Sequence, residues 1–299
     1  MRIVPTEWHV GIRPKLPQKS ILQDKDTPFT LIGNSWRYEA ADPFVFRYNG
    51  IDYVFAELID KSNGMGCIGY TVVSEGKRSK WEVIIKEDYH LSFPYIFEQN
   101  GIIYIMPESS QAQCLYCYEA IAFPQRWKKC DPILLGISLV DTAILKQGEQ
   151  NYYMSYELTA EGDTHGKLWV YQMDDGNKKL TRYYSKPIST DDSIARLGGS
   201  FFEDLDGKTI RVSQDCKKKY GCALVFSAIT EFTETNYSEK MILRLTPSDI
   251  RIKPHHVFLN GLHTYNCNDY YEVVDIRTRD FSISRQLLRI KGKLKKYKR

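Results

Sequence analysis

Five times along the chain a strand-like run closes on an acid or an amide, at nearly even intervals. The runs are Tyr53-Val-Phe-Ala-Glu57, Tyr104-Ile-Met-Pro-Glu108, Tyr153-Met-Ser-Tyr-Glu157, Ile210-Arg-Val-Ser-Gln214 and Tyr271-Glu-Val-Val-Asp275, and the steps between closing residues are 51, 49, 57 and 61. A period near 50 residues with β content restricts the chain to a repeat architecture, in which each unit must bury its faces against its neighbours.

The repeats share more than their closing residue. Pro43-Phe-Val-Phe-Arg-Tyr-Asn-Gly50 leads into the first run and Pro94-Tyr-Ile-Phe-Glu-Gln-Asn-Gly101 into the second. Asn-Gly between alternating apolar runs is a strong signal for a two-residue hairpin. Glycine to closing residue is seven positions for Gly50, Gly101 and Gly207. Two further strand-like runs follow each hairpin in the first three repeats, for example Cys67-Ile-Gly-Tyr-Thr-Val-Val and Trp81-Glu-Val-Ile-Ile, Cys114-Leu-Tyr-Cys-Tyr-Glu-Ala and Trp127-Lys-Lys-Cys, and Leu168-Trp-Val-Tyr-Gln-Met and Leu180-Thr-Arg-Tyr-Tyr. Four short antiparallel strands per repeat make one propeller blade. The expected fold is therefore all-β, a five-bladed β-propeller over residues 1–280 followed by a basic tail, 281–299. Glu7-Trp-His-Val-Gly-Ile12 is expected to add a strand to the last blade and close the ring, which protects sheet edges. Residues 14–30 read as a surface connection.

Composition narrows the function. Aromatics make up 13% of the 299 residues, Tyr leading with 21, while the net charge is only +4, too small to argue for nucleic acid. The cysteine count is seven, odd, and no long apolar segment follows Met1-Arg-Ile-Val-Pro. The expectation is reduced thiols in a cytoplasmic protein. Cys114 and Cys117 have C-x-x-C spacing but no second pair at zinc-finger distance. No Walker loop, G-x-G-x-x-G, H-E-x-x-H or G-x-S-x-G is present, so neither a cofactor nor a metal is expected. The tail places Ile283, Leu287, Ile290 and Leu294 among lysines and arginines. That near-helical spacing suggests peripheral contact with an anionic membrane face as the alternative to a solvated tail.

In a propeller the first strand of each blade lines the central channel, and the residues at its opening end share one funnel. Those positions are Asp42, Phe93, Asp141, Gly198 or Gly199, and His263. Paired carboxylates across such a funnel suit glycoside chemistry, one protonating a leaving oxygen while another stabilises or attacks the anomeric carbon. Asp42, Glu108 and Asp141 are the candidate catalytic acids. Asp42 precedes a proline and is expected to be extended. Glu57 and Glu157 recur by symmetry, which favours a structural role. Arg196, beside Gly198 and Gly199, suits an anionic group of the substrate. His90, Gln214, Asp215 and His263 complete the candidate substrate pocket, and Lys217-Lys-Lys219 reads as a solvated loop.

The ordered set Asp42-Pro-Phe with Phe55-Ala-Glu57, His90-Leu-Ser-Phe-Pro-Tyr95 with Met106-Pro-Glu-Ser109, Val140-Asp141, Ala195-Arg-Leu-Gly-Gly199, Gln214-Asp-Cys216 and Tyr220-Gly221 resembles the N-terminal propeller domain of glucosamine inositolphosphorylceramide transferases. Bacterial relatives are linked to surface-polysaccharide synthesis. That domain is similar to the five-bladed propellers of arabinanases, xylosidases and invertases, which carry essential acids on the inner strands of their first three blades. The resemblance implies Asp42 as the first-blade acid and Asp141 as the third-blade acid. The second-blade position is Phe93, leaving Glu108 as its nearby substitute. In the plant-type proteins a separate C-terminal domain looks like the glycosyltransferase, and these residues do not include it. Two readings follow: an enzyme transferring or cleaving a glycosyl unit from a glycan or sugar donor, and a noncatalytic glycan-binding or scaffold propeller. A protein-interaction propeller is a third.

Overall fold

The computed structural model describes residues 6–17, 19–73, 80–158, 166–174, 176–253 and 259–279. Among them there is no α-helix, only two 3₁₀ turns, and the strands form five blades around an axis. Blade one is Tyr38–Tyr48, Ile51–Asp60, Gly66–Val72 and Glu82–Ile85. Blade three is Leu139–Gln147, Gln150–Leu158, Gly166–Asp174 and Lys179–Arg182. Each is a four-stranded antiparallel meander. Asn49-Gly50 and Asn100-Gly101 close their hairpins with both residues at positive φ, between 47° and 78°, as a tight primed turn requires.

Blade two departs from expectation at its third strand. The run from Cys114 breaks in two: Cys114–Leu115 pairs with Leu134–Leu135 in a small separate sheet, and Tyr118–Ala122 joins the blade. The cysteines form no disulfide, and burial pushes the Cys117 thiol up to about 12. The inner strands of blades four and five are also split, into Arg196–Leu197 and Phe202–Glu203, and into Leu259–Gly261 and Tyr265–Cys267.

The N-terminus closes the ring as expected, and with more chain than expected. Thr6–Pro14 pairs with Tyr271–Arg279 from Thr6↔Arg279 to Pro14↔Tyr271. Phe29–Ile32 then adds outside it and pairs with Ile252–Lys253. The connection between them runs largely over the surface, as expected, but is anchored at several points. Arg13 is buried, and its Nε donates to Glu272 Oε2 at 2.6 Å while its other nitrogens donate to the carbonyls of Thr27 and Asp24. The Ile21 amide donates to the second oxygen of Glu272. A buried pair of charges persists only when both are paired and hydrogen-bonded, and here the pair ties the connection down beside buried Ile21 and Phe29.

Blades pack face to face, so inner strands are apolar on both sides; Val54, Phe55, Ala56 and Leu58 are all fully buried. One core cluster spans blades one to three and reaches Ala195 and Leu197 of blade four, and others join blades four and five and blades five and one. The basic tail lies outside the described residues. No helix among the described residues is long and apolar enough to cross a membrane.

Candidate active site

The funnel is built by a defect repeated in three blades. The inner pairing skips between Ala41 and Phe44, between Ser92 and Tyr95 and between Val140 and Ala143. Each gap holds a residue in left-handed backbone: Asp42 at φ 48°, Phe93 at 43° and Asp141 at 51°. Asp42 is thus not extended as Pro43 led us to expect, because the bulge overrides the local preference. Aspartate tolerates this region and phenylalanine does so poorly. Phe93 adopting it means that the bend belongs to the blade, and only the residue type placed there belongs to the chemistry. In blade four the corresponding position is glycine for another reason. A Cβ on Gly199 would lie 1.9 Å from the Tyr265 carbonyl oxygen, because the inner strand of blade five passes against it.

Asp42 sits at the centre of a buried relay. Its Oδ1 accepts from Thr264 Oγ1 at 2.6 Å and lies 3.3 Å from His263 Nε2, while its Oδ2 accepts from the Phe93 amide at 3.2 Å. The other ring nitrogen, Nδ1, lies 2.5 Å from Asp275 Oδ2. Asp275 in turn accepts from the amides of His263 and Thr264 with Oδ1, and from the Asp42 amide with Oδ2. Blades five, one and two are stapled together by these bonds. Burial pushes the Asp42 carboxyl up to about 7, with Glu57, Asp275 and Asp141 adding and His263 opposing. Burial alone would lower His263, but Asp275 and Asp42 overcome it and raise the imidazole. Asp42, His263 and Asp275 offer one ligand atom each within 4.8 Å of one another. A cation there would have to displace the amide and hydroxyl bonds just described, so the trio is better matched to holding protons than to holding a metal.

The second group joins blades two, three and four. Arg196 Nε contacts Asp141 Oδ2 at 2.5 Å, and its Nη2 lies 3.9 Å from Glu108 Oε2. Gln214 Nε2 donates to the same Asp141 oxygen at 2.9 Å and to the Leu197 carbonyl at 2.7 Å. Glu108 Oε1 accepts from Ser110 Oγ at 2.8 Å. Burial and the neighbouring Asp141 carboxylate push Glu108 up to about 7 against the pull of Arg196. The reachable members are His90, Arg196 and Glu108, whose side chains are 29%, 21% and 10% exposed. Asp42 and Asp141 are sealed at 5% and 2%.

His90 belongs beside this group. The Gly66 amide donates to its Nδ1, which fixes a lone pair there and the ring proton on Nε2, 2.9 Å from Glu57 Oε1. A Cβ on Gly66 would meet Glu57 Oε1 and the Leu91 carbonyl, both at 2.4 Å, so this packing demands glycine. Asp215 is placed apart. Its carboxylate takes Arg244 Nη2 at 2.7 Å and Nε at 3.0 Å, on the outer strand of blade four. Glu157 is held by Arg182 and the Tyr171 hydroxyl, a contact within blade three.

Three contributors were not among the candidate site residues. Trp8, on the closing strand, stacks on His263 at 4.2 Å; Thr264 holds Asp42; and Tyr220 stands edge-on to His263 with the Arg196 guanidinium 5.0 Å from its ring centre. Tyr220 and Gly221 did stand out as a motif, and Gly221, at φ 64°, is the turn that carries Tyr220 over the funnel. No motif marks Trp8 or Thr264.

Comparison with known proteins bears on the family and the fold. Residues 34–256 match the family described as glucosamine inositolphosphorylceramide transferase 1, N-terminal. The chain is 33% identical over 205 residues to glucosamine inositolphosphorylceramide transferase 1 of Arabidopsis thaliana, covering 67% of this chain and 26% of that protein. Its counterpart in Oryza sativa subsp. japonica is 27% identical over 205 residues, with 67% and 27% covered. The chain therefore spans about a quarter of the length of these relatives. Among solved structures, a family 117 glycoside hydrolase from the marine bacterium Zobellia galactanivorans aligns with a TM-score of 0.54 at 10% identity, covering 92% of this chain and 91% of that one. An α-L-arabinofuranosidase from Clostridium thermocellum aligns with a TM-score of 0.52 at 12% identity, covering 79% and 82%. At those identities the likeness is one of fold. With most of its length matched by the family and its bulge residues gathered around one axis, the chain belongs to the glucosamine inositolphosphorylceramide transferase 1 N-terminal family.

Proposed function

We propose that this propeller binds a glycosyl unit in its funnel and transfers or cleaves it during the assembly of surface glycans. One observation carries the reading. Two carboxyls flank the Arg196 guanidinium, and they differ: Glu108 holds its proton to about 7, while Asp141 is ion-paired. Glycosyl chemistry needs that division, one acid to protonate the departing oxygen and one anion to meet the positive charge growing at the anomeric carbon. Glu108, the reachable acid, is the proton donor in this proposal, and Asp141, sealed behind Arg196, is the anion that acts on the anomeric carbon through its field rather than by contact. Gln214 orients Asp141, Arg196 spaces the two carboxyls, and His90 forms the nearby wall. Arg196 suits a substrate anion by its chemistry, but with its Nε committed to Asp141 we assign it to positioning. Asp42, enclosed by Thr264, His263 and Phe93, sets the position of His263 at the axis. The relatives' name supports a sugar-transfer setting for those larger proteins. For this chain we place the work at the cytoplasmic membrane face, with the basic segment 281–299 as a contact to anionic lipid.

The test uses Glu108→Gln and Asp141→Asn against a panel of nucleotide-sugars and oligosaccharides. Each is expected to lower turnover by about 10²–10⁴-fold, with Glu108→Gln melting near wild type and Asp141→Asn, which leaves Arg196 without its anion, melting lower. Wild-type turnover in Glu108→Gln would sink the assignment. A noncatalytic, glycan-binding propeller is the second reading, favoured by the saturation of Asp42 and Asp275 with bonds that cross between blades. It expects no turnover of any panel member and a change in affinity alone.

A further inference from the structure

Blades three and four border a half-open cavity of about 570 Å³ on the outer rim, lined chiefly by Tyr183, Tyr184, Lys186, Glu234, Thr235 and Tyr237. Its place follows from the strand directions. Second strands finish at the funnel, where Glu57, Glu108, Gln214 and Asp275 lie, so third strands finish at the opposite end. The turn after the third strand of blade four, residues 233–236, therefore lies away from the funnel. None of the residues lining the cavity belongs to the funnel.

We propose that this cavity is a second carbohydrate site, which takes one or two sugar rings of a neutral glycan. Its volume falls within the range of small-ligand pockets. Its aromatic wall is held rigid before any ligand arrives. Tyr183 lies parallel to Phe232, 6.0 Å between centroids and 6° between planes, and packs edge-on to Tyr184 at 4.8 Å. The Tyr184 hydroxyl lies 2.6 Å from the Thr233 carbonyl and 3.1 Å from that of Asn236, tying the blade-three segment to the blade-four turn. Rings fixed in this way need no ordering on binding, which is where much affinity is otherwise lost. An aromatic face with a polar rim suits a pyranose, whose C–H face is apolar and whose edge is hydroxyl.

The rim supplies the polar half. Ser185, Lys186, Glu234 and Thr235 are exposed, line the cavity, and have no side-chain hydrogen bond or ion pair among the described residues. Their donors and acceptors are free for hydroxyls. Lys186 and Glu234 cancel in charge, which favours a neutral ligand over an anionic one. A polyproline peptide also docks on tyrosines, but it engages a run of several residues along a groove; a pocket of this size takes one or two sugar rings, and the peptide is a separate arm of the test.

The test is calorimetric titration of the full chain with neutral oligosaccharides (gluco-, xylo-, arabino- and galacto-oligosaccharides), with a proline-rich peptide as a separate arm. Lys186→Ala with Thr235→Ala removes rim contacts from exposed positions, and Tyr183→Ala removes the wall. Glu108→Gln serves as the funnel control. Binding of a panel glycan that falls about tenfold or more in the rim double variant, yet persists in Glu108→Gln, supports the site. Thermal melting of the rim variant at the wild-type temperature excludes misfolding as the cause. Unchanged glycan affinity in both rim and wall variants, absence of any glycan binding that the rim variant weakens, or binding of the peptide alone would overturn it. None of these outcomes depends on turnover at the funnel.

Discussion

The indole of Trp8 stacks on the imidazole of His263, with centroids 4.2 Å apart and planes 30° apart. One residue comes from the strand that closes the ring and the other from the buried relay at its axis. Arg277, the register partner of Trp8, lays its guanidinium 5.0 Å from the indole. Closure of the propeller and placement of His263 between Asp42 and Asp275 are therefore one event.

Trp8→Ala is expected to destabilise the protein by about 1–3 kcal/mol, since it removes a ring stack and half-buried area together. Trp8→Phe should restore most of that. Urea unfolding of the two variants checks it. A change within about 0.5 kcal/mol for Trp8→Ala would separate closure from the relay.

Stability should fall as pH rises from the weakly acidic range to about pH 8. Asp42 and Glu108 hold their protons to about 7 in the fold, against ordinary values of 3.8 and 4.5. Between those limits the native state binds more protons than the unfolded chain, so unfolding free energy declines with pH. His263 is raised from 6.5 and works in the same direction, its contribution present below that value and lost as pH climbs through the raised one. We expect a loss on the order of 1–3 kcal/mol across the window. Glu108→Gln, which cannot ionise, should flatten the profile. Parallel wild-type and variant profiles would show that Glu108 does not titrate there.

The repeat was legible because closing residues and Asn-Gly hairpins are local, and both report on strand pairing directly. Asp42, Asp141 and Arg196 were legible because position within a repeat says which strand faces the axis. Partners were not. Nothing local distinguishes Gln214, which holds Asp141, from Asp215, which holds Arg244, since adjacent residues of a strand point to opposite sides. Arg13 carried no signal in the sequence because its partner, Glu272, is supplied from the other end of the chain. The bulge at Asp42 was hidden by Pro43, whose local preference points the other way.

Arg196 carries the only guanidinium in contact with both Asp141 and Glu108 among the described residues. Arg196→Met leaves Asp141 buried without its cation, and removing one partner of a buried pair costs about 3–5 kcal/mol. Arg196→Lys keeps the charge but cannot reach both carboxyls from one rigid fork. It should melt closer to wild type than Arg196→Met while losing most of the funnel's glycan affinity or turnover. Equal melting temperatures for the two variants would mean that the charge at this position does not support the fold.

Gly199 gives the sharpest test of how the blades meet. Its φ is 156°, and a Cβ would stand 1.9 Å from the Tyr265 carbonyl oxygen and 3.0 Å from the carbonyl carbon. These are backbone atoms of the adjoining inner strand, which cannot swing aside as a flexible side chain does. That strand is pinned from both sides, by the Tyr265 amide donating to the Gly198 carbonyl at 2.8 Å and by Asn266, which accepts from the Ser200 amide and donates to the Pro43 carbonyl. Gly199→Ala is therefore expected to separate blades four and five at the axis, costing upwards of about 4 kcal/mol, and to leave the protein insoluble or melting far below wild type. Gly148→Ala serves as the comparison. That glycine also has positive φ, at 59°, but no atom lies within 4 Å of its Cβ position, so it should lose only about 1 kcal/mol from backbone strain. If the two variants melt together, strand contact at the axis is not what holds blades four and five in place.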